Sequence, residues 1–337
     1  MNQQTKMHWT KPLLLVIATL CLAVAAFGAP GFQAGAQGSF DRSLPVTGPV
    51  ELEVSTGSGN ITVRPGSSRS VHVHGTIRAN NHGLFGSSEN AEAKIRTIES
   101  NPPILQDGNF IRIGRIDDPD LRHNISISYE IETPSNTQLK ETSGSGNISA
   151  EGIQGPVKSV TGSGNVSASN IQSELTANTG SGDIHAETIK GDVHLGTGSG
   201  SIDAMGVAGS FTINTGSGDI TLDENTAGNG RVSTGSGTVR LRGVNGSLRV
   251  GTGSGNIVAQ GRAAGDWSLH TGSGNVSVEL PADASFTIDA HADSGRIVTR
   301  RAVTVQGTMR KGTLQGVVGK GGPLLTLRTG SGDVEIN

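Results

Sequence analysis

The chain has one cysteine, Cys21, in 337 residues. No intrachain disulfide can form, and zinc sites built from several thiolates are excluded. Aromatic residues make up 3% and charged residues 16% of the chain. A conventional core of large side chains is hard to build from that composition. The formal net charge is only −3, too small for charge-driven disorder and of the wrong sign for a general attraction to nucleic acid. Proline is scarce at 12 residues, and the 51 glycines show no Gly-X-Y period, so a collagen helix is excluded. What remains is a chain that buries small aliphatic residues in a repetitive way.

The first 36 residues have the pattern of an export signal. Lys6 and Lys11 give a basic start, Pro12 to Phe27 is mostly apolar and uncharged, and Ala34-Gly35-Ala36 offers a small-x-small cleavage pattern. Ala26-Phe27-Gly28 is a second candidate, and an uncleaved anchor is the alternative reading. Cleavage after Ala36 removes two lysines and Cys21, leaving 24 − 29 = −5. The expected location is therefore periplasmic, outer-surface or extracellular, with membrane contact only through an uncleaved leader. Leu44-Pro45-Val46-Thr47-Gly48 spells a sortase-like motif, but no apolar tail follows it, and it reads as an ordinary turn.

A Thr-Gly-Ser-Gly turn or a close variant recurs with its first Gly at 57, 144, 162, 180, 198, 216, 235, 253, 272 and 330, and Asp293-Ser294-Gly295 is a worn copy. From 144 onward the spacings are 18, 18, 18, 18, 19, 18, 19, 21 and 37. The last equals 18 + 19, which predicts one coil near Arg310 to Leu314 that has lost its turn signature. With the first Gly as position 0, positions −5 and −3 are usually apolar, as in Val193 and Leu195 or Phe211 and Ile213. Positions +4 and +6 follow suit, as in Val166 and Ala168 or Ile220 and Leu222. A step of two is a strand with one face inward. Each repeat is thus two short strands, and Gly at +11 (Gly155, Gly191, Gly209, Gly246) marks a second corner.

One such repeat cannot bury its apolar row alone, but stacked repeats can. The expected fold is all-β: a single-stranded β-solenoid, or β-helix, of about 18-residue coils with two short strands each. Ile184, Ile202 and Ile220 should form one internal column. A tube this thin predicts little room for large aromatics. The turn residues Gly162, Ser163, Gly164, Asn165, Gly180, Ser181, Gly182, Asp183, Gly216, Ser217, Gly218 and Asp219 are the expected structural sites. Glycine at 0 and +2 is expected to supply positive φ. Asn or Asp at +3, found in eight of eleven copies, tolerates left-handed backbone and bonds its own backbone, and in stacked coils these residues are expected to form Asn and hydroxyl ladders that satisfy turn amides.

Residues 65–140 interrupt the period. Val71-His72-Val73-His74, Asn109 to Ile116 and Asn124 to Glu132 alternate as strands, and Ser88 to Glu99 reads as the only helix, with Ser88 its N-cap. The organisation read from sequence is a leader (1–36), a first coil with a β-rich cap and one short helix (37–140), and solenoid repeats (141–337). A solenoid end needs such a cover.

The TGSG-[ND]-[IV] coils, the short helix before Tyr129-Glu130-Ile131-Glu132-Thr133-Pro134 and the leader resemble the bacterial putative-adhesin family of β-strand repeat proteins. The likeness spans nearly all of residues 40–337. It implies an exported β-solenoid at the cell surface or in the envelope and supplies no catalytic motif.

No constellation for catalysis stands out. The +3 residue is Asp only at Asp183, Asp219 and Asp333, too few for a calcium β-roll. His270 and His291 fall at −2 in neighbouring coils, His185 and His194 are outward, and His72 and His74 share a strand face, all without an evident third ligand. Asp192, Glu187, Asp203, Asp223 and Glu224 are scattered rather than paired as glycan cleavage requires. The Gly-Ser-Gly turns lack the lysine and helix of a phosphate loop. The expectation is a non-enzymatic, adhesin-like surface or envelope scaffold without cofactor, metal or nucleic acid, its partner a cell-surface protein or glycan bound on outward strand faces. The alternatives are a carbohydrate-binding or carbohydrate-active β-helix, and a structural envelope protein without a specific ligand.

Overall fold

The computed structural model describes residues 36–79, 88–305 and 311–337. Apart from Ala36, the expected leader and its Cys21 lie outside the described residues. No helix among those residues is long and apolar enough to cross a membrane.

The chain is an all-β solenoid of two facing sheets with 15 and 14 strands. We call them the leading sheet, which precedes each Gly-Ser-Gly turn, and the trailing sheet, which follows it. One coil runs up Leu175–Thr179, turns, and returns along Ile184–Ile189. Within each sheet the neighbouring coils pair in parallel. Ile184 stands opposite Ile202 and Ile202 opposite Ile220, so the expected column exists. All three are at most 1% exposed. Alternation is strict because β-branched residues at every second position can face only one way.

Five inward columns fill the space between the sheets. Positions −5, −3, +4 and +6 are those read from the repeat. The fifth, at +9, holds Ile153, Ile171, Ile189 and Val207, each fully buried at the far corner. The residue just before it adopts a left-handed conformation: Gly152, Asn170, Thr188, Gly206 and Gly243 have φ of 65°, 55°, 58°, 69° and 71°. This conformation ends the trailing strand and turns the next side chain into the core. Thr188 is β-branched, so its placement there is strained.

Large aromatics do enter the tube. Trp267, Tyr129, Phe211 and Phe286 are all at most 2% exposed. Phe211 fits because its partner in the next coil is Gly230, whose missing side chain leaves room for the ring. Trp267 donates its indole N–H to the Gly246 carbonyl at 2.9 Å, so burial leaves no orphan donor.

The ends depart from chain order. The first coil by sequence is second in space: Val50–Thr56 lies between Thr137–Ser143 and Phe110–Ile113, and Ile61–Pro65 between Ile148–Glu151 and Ile125–Thr133. Beyond it, Ser70–Ala79 and Gln37–Pro45 extend the trailing sheet antiparallel, and Ile104–Asp107 closes the leading sheet. Helix α1 (Ser88–Ser100) covers the outermost strand, where the Ser39 amide donates to Glu99 Oε1 at 2.9 Å. It is not the only helix. A four-residue helix, α2 (Pro119–Arg122), is capped by Asp118, which accepts from the Asp120 amide at 2.9 Å. In the sortase-like stretch, Leu44 and Pro45 end a strand, and only Thr47 and Gly48 bend.

The last coil is also tucked in. Leu324–Ser331 lies between Trp267–Ser273 and Phe286–Ala292, and Val334–Ile336 between Val276–Glu279 and Ile297–Thr299. Among the described residues the 37-residue interval therefore shows no further coil. Thr313–Val318, where that coil was expected, pairs antiparallel with Phe286–Ala292 and with Val303–Thr304, and Arg310 lies outside the described residues.

Candidate functional site

The turns are a hydrogen-bonded spine. Thr179 Oγ1 donates to the Gly164 carbonyl one coil below at 2.8 Å and accepts from the Gly182 amide at 3.1 Å. Thr215 does the same with Gly200 and Gly218, at 2.9 and 3.2 Å. This explains why Thr precedes the turn: the hydroxyl is buried and meets both needs at once. The +3 side chains form the expected ladder, each accepting from a turn amide of the next coil rather than of its own. Asn165 Oδ1 accepts from the Asp183 amide, Asp183 Oδ1 from Ser201 and Asp219 Oδ1 from Thr238, at 2.9, 2.8 and 2.8 Å. Ser163, Ser181 and Ser217 face solvent.

Six of the expected turn glycines lack the positive φ read from the repeat. Gly162, Gly164, Gly180, Gly182, Gly216 and Gly218 have no left-handed φ. Instead, backbone lies on backbone. A Cβ on Gly162 would overlap the Gly144 carbonyl oxygen, and one on Gly164 the Gly146 carbonyl oxygen. Close approach between coils selects glycine at these six, whereas Gly255, Gly274 and Gly332, at +2 of later turns, combine it with the expected positive φ of 157°, 148° and 149°.

The histidines stay apart. His270 and His291 are not in neighbouring coils, because Arg328 stands between them in the register. His291 instead pairs with Asp293 at 2.7 Å. His185 lies 3.4 Å from Asp203 on the trailing sheet, while His194 is on the leading sheet. His74 Nδ1 is 2.8 Å from Asp41 Oδ1. Among the described residues no three His, Cys, Asp or Glu side chains converge on a metal-sized site.

The two outward faces differ in charge. The trailing face carries Glu130, Glu132, Glu151, Glu187, Asp223 and Glu279. The leading face carries no carboxylate on nine successive strands, from Thr137–Ser143 to Leu324–Ser331. Its outward residues include Lys140, Lys158, His194, Arg231 and Arg249 among Thr, Ser, Asn and Gly. Lys140 pairs at 3.0 Å with Glu53 on the strand beyond this series, and together with Arg112 it holds that carboxyl below its ordinary value. A groove of about 480 Å³ follows the leading face where it meets the far corner, lined by His194, Thr212, Asn229, Arg231, Arg249 and Asp266 among others. A second hollow of about 410 Å³ lies in the cap, beneath the C-terminal end of α1, and includes the exposed Leu105.

The family model for Toastrack DUF4097 matches residues 49–337. The chain belongs to the Toastrack DUF4097 family. Three solved structures are similar. One is a putative cell adhesion protein from Clostridium sporogenes, 12% identical, covering 89% of this chain and 99% of its own, TM-score 0.24. The others are putative adhesins from Bacteroides fragilis (14%; 89% and 97%; 0.30) and Parabacteroides distasonis (13%; 90% and 98%; 0.40). Likeness at this level adds nothing to what the family match establishes. None of the curated proteins matches the chain.

Two acids inside this Toastrack solenoid escaped the sequence reading. Glu141 occupies the −3 column between Val54 and Ser159 and is fully buried. Its Oε2 accepts from Ser159 Oγ at 2.7 Å, and Oε1 has no partner. Burial pushes its pKa up to about 8, so the carboxyl is neutral at pH 7. Glu224 is not one of the outward acids. It replaces an aliphatic residue in the corner column beside Val207 and is 4% exposed. Burial raises its pKa to about 7, opposed by the backbone amides of Asn245 and Gly228. A repeat alignment could have flagged both as the acids standing at inward positions.

Proposed function

We propose that this chain is an exported, non-enzymatic, adhesin-like scaffold that acts through its outward strand faces at the cell surface or in the envelope. The carboxylate-free leading face carries this reading. Nine stacked strands at about 4.8 Å spacing present a rigid polar surface about 38 Å long. Side chains at one position of the repeat recur along it in straight rows, suited to a long, repetitive partner. Rigidity comes from the Thr and Asn spine, so little entropy is lost when a partner binds.

A glycan array combined with a reducing-end assay tests the proposal. Binding without release of new ends is expected. Release of new ends would replace it with a carbohydrate-active enzyme, and an array without binding would favour a spacer that has no specific ligand.

A further inference from the structure

We propose that the leading face binds an acidic polysaccharide, with Arg231 and Arg249 as its anchoring cations. The inference deepens the scaffold reading above and rests on it. Arg231 and Arg249 are register partners on adjacent parallel strands, so their side chains leave the sheet about 4.8 Å apart on the same side. Both are exposed, and neither pairs with a carboxylate among the described residues. Like charges side by side on a sheet repel. Other arginines of the sheets do find a carboxylate across strands, as Arg112 does with Glu53 at 2.9 Å and Arg64 with Glu132 at 2.8 Å. An anion that bridges the two guanidinium groups relieves this repulsion and gains charge-assisted hydrogen bonds.

The groove beside the pair indicates the kind of anion. Its one lining carboxylate, Asp266, is engaged by the Leu324 amide at 2.8 Å. Around the arginines it offers the Thr212 and Ser268 hydroxyls, the Asn229 amide and His194. This is a hydrogen-bonding wall for a hydroxyl-rich chain, running across the strands along the repeat axis. Among the outward residues of the nine strands, Val160 and Leu324 are the apolar side chains, on the second strand and the ninth, away from the arginine pair. A protein partner would want apolar or aromatic anchors at the centre of its footprint. Single-stranded nucleic acid would want aromatic stacking platforms. The strands around Arg231 and Arg249 have neither. An acidic polysaccharide fits best.

The test titrates the full protein with polygalacturonate, dextran sulfate and neutral dextran at low and high salt. The parent should bind one or both acidic polymers, more weakly as salt rises, and neutral dextran at least tenfold more weakly. The carboxylate and sulfate arms show which acid is preferred. The double variant Arg231→Ser, Arg249→Ser keeps residue types already present in these rows and should melt like the parent. It should lose about tenfold or more in affinity and much of the salt dependence. The variant Arg240→Ser, Arg242→Ser on the trailing face should bind as the parent does. Unchanged binding in the leading-face variant, or equal losses in both variants, would overturn the proposal. Tighter binding of single-stranded DNA, or parent self-association that the leading-face variant abolishes, would also overturn it. If the array of the previous section shows ligands but neither acidic polymer binds, the inference fails and the scaffold reading stands. If nothing binds in either experiment, both fail.

Discussion

The middle of the solenoid and its two ends solve different problems. From Thr137 to Glu279 each coil stacks on the one before it, and both sheets follow chain order. At the ends the order is permuted. The first and last coils each lie one step inside, sandwiched by a segment that the chain places farther out. A coil in the middle has two neighbours as a consequence of the repeat. A coil at an end would have one, with an open strand edge and a free terminus to fray. Tucking each terminal coil inward gives it two ladders, and antiparallel strands then close the stack.

The largest effect should come from removing a tucked coil. Deleting 323–337 takes out the layer beneath Phe286–Ala292 and should cost about 5 kcal/mol or more, comparable with the stability of a domain. Deleting 162–179, one whole period, joins Thr161 to Gly180 in phase and should cost no more than about 2 kcal/mol. Denaturant unfolding of both variants measures the contrast. If the two deletions cost the same, the ends have no special role.

The turns separate middle from end by glycine. Gly162→Ala places a Cβ on the Gly144 carbonyl and should cost about 3 kcal/mol. Gly57→Ala, in the first turn, meets nothing within 4 Å and should stay within about 0.5 kcal/mol. Equal melting temperatures would show that the close approach of the coils is not what selects glycine.

Glu141 marks the junction where the ordered stack begins. Folded, it keeps its proton up to a pH of about 8, whereas the unfolded carboxyl loses it near 4.5. Its contribution is therefore full below pH 4.5 and is lost as the pH rises from there through about 8. Glu141→Gln should remove that slope, so that the variant gains about 4 kcal/mol on the parent as the pH rises from 4.5 to 8. Melting curves at pH 5 and pH 8 check this, and parallel profiles for parent and variant would refute it. The smallest effect belongs to Thr188→Gly, which relieves the φ of 58° at a middle corner and should stabilise the fold by about 1 kcal/mol. A destabilised variant would mean that the methyl and hydroxyl contacts of Thr188 outweigh its strain.

Much of the fold could be read from the repeat because stacking is a nearest-neighbour property. The columns through Ile184, Ile202 and Ile220 and the two-strand coil follow from a period that each repeat carries within itself. The candidate surface was less visible. Outward residues follow no hydrophobic rule, so the pairing of Arg231 with Arg249 and the missing carboxylates emerge only when strands are placed side by side. The left-handed corner was half legible: Gly152, Gly206, Gly243 and Asn170 are types that favour it, and the β-branched Thr188 hides it.

By itself the sequence determined the coil: which residues face inward, where the turn falls, and that successive repeats lie in register. Periodic apolar spacing leaves no other way to bury the rows. The tertiary structure alone decided the order of coils at the ends, the overlap that selects glycine at the turns, and the neutral carboxyl at Glu141. These depend on contacts between segments far apart in the chain, whose energies leave no periodic mark in the residues that make them.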